Sequence, residues 1–138
     1  MLEIHKQKFR NLLERKFEEG DFFPHFAVLF YRDKIFIPAI THNESTLSEE
    51  IIEKYIELYP FIKKLFLEAE NNISHIGVGK MRRIVLDPDM GAVNFSIILG
   101  SLFLMTGTGV QDEVDNACCD HMSLCGEVER LAMSLRDE

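Results

Sequence analysis

The most apolar run in the chain, Val93 to Thr106 (VNFSIILGSLFLMT), is 14 residues long and is broken by Gly100-Ser101. A helix that spans a bilayer needs roughly 20 apolar residues, so this run does not cross a membrane. The glycine-serine pair is a turn signal, and the apolar residues either side of it read as two strands, Ala92 to Leu99 and Leu102 to Thr106. A buried hairpin of this kind commits the chain to a sheet. The remaining segments then have to supply its neighbours and its cover.

The neighbours are legible from composition and turn chemistry. His25 to Tyr31 (HFAVLFY) is apolar almost throughout, as expected for a strand covered on both faces. Ile35 to Thr41 (IFIPAIT) follows a short polar connection, so the two form a hairpin. Pro38 cannot donate a ladder hydrogen bond, which places the second strand at a sheet edge. A third strand is expected within Ile73 to Asp87, clearest from Lys80 to Leu86. The turn residues Asp87 to Gly91 (DPDMG) lead from it into the apolar hairpin, giving an antiparallel meander that Gly107-Thr108-Gly109 closes.

Helices supply the cover. In Leu2 to Glu19, Phe9, Leu12, Leu13 and Phe17 form one apolar stripe. Thr46 and Glu49 make a capping box, opening a helix with apolar positions from Leu47 to Phe66. Pro60 should kink or split that helix near Tyr59, and Asn71-Asn72 should end it. A last helix is expected from Gln111 to Leu135. The order α-β-β-α-β-β-β-α gives an α+β class, with a five-stranded antiparallel sheet and helices packed on both faces, over residues 1–138 as a single domain.

Charge narrows the functional classes. The net charge is −8, and Val110 to Glu138 holds eight acids against two arginines. So acidic a chain is poorly suited to nucleic acid or to an anionic membrane surface. The three cysteines include an adjacent pair, Cys118 and Cys119, and read as reduced thiols. The start, MLEIHKQKF, lacks the apolar core of a signal peptide, so the expected location is cytoplasmic.

Few motifs suggest chemistry. Cys118, His121 and Cys125 share one helical face and could ligate a metal or act as redox thiols. The same positions also belong to the small-residue stripe of the last helix, where cysteine packs as a small hydrophobe. Gly107-Thr108-Gly109 lacks the further glycine of a dinucleotide site, and acids follow it. Asp87 and Asp89 suit a turn. No nucleophile arrangement is recognisable, so a catalytic role is not expected and no cofactor is implied. Lys80, Arg82 and Arg83 form a basic strand segment, which either protects an exposed edge or pairs it with another chain.

The element order, Gly79 to Gly91 (GKMRRIVLDPDMG) and Phe95 to Met105 (FSIILGSLFLM) together resemble the Roadblock/dynein light chain family of the profilin-like group. The resemblance implies a sheet order 2-1-5-4-3 and dimerisation through the third strand and second helix. It also implies scaffolding or control of small GTPases, or an adaptor role. Two positions depart from the family pattern, Asp33-Lys34 at the first hairpin turn and Pro60 in the second helix.

The expected function is thus a non-catalytic protein–protein interaction module that forms a homodimer and engages a small GTPase or adaptor complex. Tyr55, Tyr59 and Ile62 are the expected apolar anchors, with Lys80, Met81, Arg82, Arg83 and Ile84 along the strand edge. One alternative is a small-ligand sensor of PAS or profilin-like type, its pocket lined by Phe95, Phe103 and His121. Another is the helix-borne metal or thiol site at Cys118, His121 and Cys125.

Overall fold

A computed structural model describes residues 2–42, 45 and 47–136. A short 3-10 turn, Leu2–His5, leads into α1, Lys6–Glu18. The strands are β1 (Phe26–Tyr31), β2 (Lys34–Thr41), β3 (Arg83–Leu86), β4 (Ala92–Ile98) and β5 (Leu102–Thr108). Between β2 and β3 lie α2 (Glu49–Glu57) and α3 (Tyr59–Ile73), and after β5 comes α4 (Val114–Arg136). All pairings are antiparallel, and the sheet order is β2-β1-β5-β4-β3.

Alternation along the strands sorts the core into two layers. Ala27, Leu29, Leu102 and Leu104 face α1 and α4, packing with Phe9, Leu13, Leu124 and Val128. Phe26, Val28, Phe30, Phe95, Phe103 and Met105 face the opposite way and pack with Ile52, Tyr59, Ile62 and Phe66 of α2 and α3. Every residue of β1 and β5 is buried, as a strand covered on both faces requires. Pro38 lies exposed in β2, at one edge of the sheet, next to an irregularity in the β1–β2 register.

The structure moves several boundaries. The split before Pro60 falls at Leu58, and Pro60 occupies the first turn of α3, where a missing N–H removes no intrahelical bond. The α2 cap is Ser48, whose Oγ accepts from Ile51 N at 3.2 Å; Thr46, the expected cap, lies outside the described residues. Asn71-Asn72 does not end α3, which runs to Ile73, and Asn72 Nδ2 donates to Glu68 O at 2.9 Å. Gly107 and Thr108 belong to β5 and do not form a turn after it. A Cβ at Gly107 would stand 2.6 Å from the Phe26 ring, so a glycine lets the strand pass beneath that ring.

The largest shift concerns β3, which begins at Arg83 rather than Lys80. The last rung is Ile97 N donating to Arg82 O at 3.2 Å. Continuing that register would set Met81 and Lys80 opposite Ile98 and Leu99, where β4 ends and turns. Met81 therefore falls opposite the last residue of β4, and Lys80 opposite the turn that follows it.

Candidate functional site

The open edge of β3 combines unpaired backbone with unpaired charge. Arg82 bonds to Ile97, so the alternation of an antiparallel ladder turns Ile84 and Leu86 towards β4 as well. The backbone N–H and C=O groups of Arg83 and Val85 consequently point away from the sheet. Val85 is 41% exposed. Lys80 and Arg82 are exposed and Arg83 is half-buried, with its guanidinium donating to Cys118 Sγ at 3.3 Å. No carboxylate of a described residue forms an ion pair with any of these three cations.

An open groove lies at this corner of the sheet, where β4 ends, and is lined from one face by α3 and from the other by α4. Phe66, Leu67 and Glu70 contribute one wall, Met122, Cys125 and Glu129 the other, and Ile97 to Gly100 the floor. Lys80, Met81, Arg82 and Arg83 border it. Leu67 is 56% exposed, which leaves apolar surface adjoining the basic segment.

The expected anchors on the helices lie elsewhere. Tyr59 and Ile62 are buried against the sheet, at 8% and 0% exposure. The Tyr59 ring stacks on Phe30 at 4.1 Å between centroids and meets Phe103 edge-on. Its hydroxyl donates to Asp33 Oδ1 at 2.8 Å, and Lys63 Nζ bonds the same oxygen, tying the β1–β2 turn to α3. Burial, and then the Asp33 carboxylate, hold the Tyr59 hydroxyl well above the ordinary phenol range. Tyr55 is half-buried with its ring stacked over Phe26. Met81 and Ile84 are half-buried against the same core layer. The outward apolar residues of α2 and α3 are instead Ile51, Phe61 and Leu67. A wide apolar stripe does not say which of its borders faces inwards, so periodicity alone missed them.

The residues of the two alternatives also fall into place. Phe95 and Phe103 are buried among aromatic rings on the α2–α3 side. His121 lies on the other face of the sheet, so the three do not line one pocket. His121 is fully buried beneath α4, with Nε2 2.7 Å from Ser96 Oγ and Nδ1 2.7 Å from Thr106 Oγ1. Burial, reinforced by the charge of Arg83, pushes its pKa down to about 3, so the ring is neutral and bonded at both nitrogens. Cys125 Sγ stands 3.5 Å from Nε2, and burial pushes its thiol up to about 11. Among the described residues no group of three His, Cys, Asp or Glu side chains is placed to hold a metal ion.

Among the described residues no helix is long and apolar enough to cross a membrane. No family model and no curated protein sequence matches the chain. Solved structures do. The gliding protein MglB of Thermus thermophilus superposes with a TM-score of 0.68 at 9% identity, over 93% of this chain and 90% of that one. Myxococcus xanthus MglB gives 0.68 at 9% identity, over 94% and 91%. A Roadblock/LC7 domain from Streptomyces avermitilis gives 0.60 at 16% identity, over 88% and 95%. At such identities the likeness establishes the fold, and it is the fold that the sequence resemblance implied.

Proposed function

From the premise of a roadblock/LC7 fold, we propose that this protein is a non-catalytic interaction module that pairs with another chain along β3. It acts as a scaffold or small-GTPase regulator of the roadblock kind. One observation carries the reading: the outward backbone groups of Arg83 and Val85 form an open strand edge, Arg83 borders the same groove as exposed Leu67, and three cations of the segment have no carboxylate partner among the described residues. Strand addition uses such an edge, since main-chain hydrogen bonds give affinity and flanking apolar contacts add to it. The opposite edge, β2, is interrupted by Pro38 and offers a poorer template. A structure described as MglB with a tetrameric arrangement, matched here with a TM-score of 0.70 at 9% identity, supports assembly by chains of this fold.

The absence of catalysis fits the buried titratable groups. Tyr59, His121 and Cys125 are the groups most displaced from their ordinary pKa, and all three are held in hydrogen bonds, His121 and Cys125 beneath α4 and Tyr59 to Asp33 of the β1–β2 turn. The expected anchors Tyr59 and Ile62 serve that core, and Leu67 and Val85 take their place at the surface. A cytoplasmic setting accords with the free thiols of Cys118, Cys119 and Cys125.

Val85→Lys places a charge on the pairing edge without opening the core. The native chain, 16.0 kDa, is expected at twice that mass by light scattering, and the variant at the monomer mass. A native monomer at every accessible concentration would exclude pairing between identical chains along this edge. Retention of a small GTPase by the native protein, lost in Val85→Lys, would tie the regulator role to the same surface.

A further inference from the structure

We infer that the first half of α4 is a latch: residues 114–122 lift from the sheet together while the second half, from Leu124 onwards, stays docked. The latch does not depend on pairing along β3.

Polarity is distributed unevenly beneath this helix. Among the described residues the buried polar side chains are His25, Asn94, Ser96, Thr106, Thr108 and His121. Ser96 and Thr106 bond His121, so they face α4. Strand alternation turns Asn94 and Thr108 to the same side. On this face β4 presents Asn94, Ser96 and then Ile98, while β5 presents Thr108, Thr106 and then Leu104 and Leu102. The first half of α4 thus lies on amide and hydroxyl groups, and the second half on aliphatic ones. Among the described residues the α4 contribution to the apolar core begins at Leu124. Ahead of it, the buried residues of the helix are Ala117 and His121.

Water competes differently for the two halves. Lifting the second half would expose Leu124, Val128, Ala132 and Leu135, which is opposed by the hydrophobic effect. The first half gives up polar contacts, and water replaces those. They are the two His121 bonds, Arg83 to Cys118 Sγ, and Phe23 N to Asp120 Oδ2 at 2.9 Å. Asn94 Oδ1 is buried with no hydrogen-bond partner among the described residues, a penalty on the closed state that opening relieves. Segments held in this way open at free energies below that of global unfolding.

Acid favours the open form, because a released imidazole regains its ordinary affinity for protons. The charged or titratable groups around His121 are Arg83 of β3, Cys118, Asp120 and Cys125 of α4, and the His25–Glu113 pair ahead of the helix.

Native-state hydrogen exchange of the full chain, followed by NMR and corrected for intrinsic rates, tests the latch. Amides 118–122 are expected to open at least roughly tenfold more often than amides 128–132. Their opening constant should rise by roughly tenfold between pH 6.5 and 5. His121→Leu should abolish that rise, with His25, Glu113 and Asp120 still in place. Asn94→Leu removes the unpartnered carbonyl at similar volume, so it should make opening of amides 118–122 several-fold rarer and leave 128–132 unchanged. Equal protection in the two halves would overturn the latch, since the helix would then leave the sheet only on global unfolding. Opening that ignores pH would be fraying of the helix end, and would overturn it too. A pH dependence that survives in His121→Leu, or an Asn94→Leu protein that opens as often as the native one, would do the same.

Discussion

His121 has no exposed surface, and both ring nitrogens are spent on hydroxyls, Ser96 from β4 and Thr106 from β5. A neutral imidazole carries one N–H, so it donates to one hydroxyl and accepts from the other. Residue spacing placed His121 on the small-residue stripe of the last helix; the sheet supplies it with two partners. The folded state holds the ring neutral to about pH 3, while an unfolded chain protonates it below about 6.5. The resulting stability is complete above pH 6.5 and is lost as pH falls towards 3, by about 1.4 kcal/mol for each unit. His121→Leu is expected to lose this slope between pH 6.5 and 5. The variant should also be less stable at neutral pH by about 1–3 kcal/mol for each hydroxyl left unsatisfied. Urea midpoints measured across that pH range check both; an unchanged slope would mean that another group titrates there.

At the level of elements, Pro60 shows how a local rule and a tertiary need can agree. Tyr59 must reach Phe30 and Asp33, and Ile62 must reach the sheet, while Ile52 of α2 packs into the same layer. Leu58, with φ −75° and ψ −8°, is the joint that lets both helices present an apolar face. Leu58 N still donates to Tyr55 O at 3.0 Å, and Ile62 N to Leu58 O at 2.9 Å, so the break leaves these backbone groups satisfied. Pro60 therefore restricts the unfolded chain at no cost to the folded one. Pro60→Ala is expected to lower the unfolding free energy by about 0.4–1 kcal/mol. A gain in calorimetric stability would show instead that the proline holds a longer helix apart. Neither outcome should change the mass in solution, because the proposed pairing surface lies along β3, away from the joint at Leu58.

For the whole molecule, the charge balance bears on assembly. A net charge of −8 makes copies repel at long range, and the proposed pairing along β3, where Lys80, Arg82 and Arg83 precede Asp87 and Asp89, would offset this only at contact. Both effects are screened by salt, over a distance that shrinks from about 10 Å at 0.1 M to 3 Å at 1 M. Raising salt through this range is expected to weaken the dimer by a few fold in sedimentation, while the apolar contacts of Val85 and Leu67 keep it from dissociating altogether. A dimer that strengthened steadily with salt would mean that long-range repulsion, not edge complementarity, dominates its free energy.

Much of this protein is legible without coordinates. The element order follows from local signals, because apolar runs, turn residues and helix punctuation act within a few residues of each other. Pro38 marked its strand as an edge through a missing donor, and the family resemblance implied the sheet order that the structure contains. Facing is different, because it depends on partners distant in sequence. Tyr59 and Ile62 read as surface anchors until the sheet took their side of α3. Phe95, Phe103 and His121 read as one pocket until strand alternation put them on opposite faces. Lys80 read as strand until β4 ended before reaching it. The sequence alone determined which segments pair and where charge is concentrated; tertiary packing alone decided which side of each helix remained for a partner. The physical reason is that burial is competitive, and every apolar face the core does not claim is left at the surface.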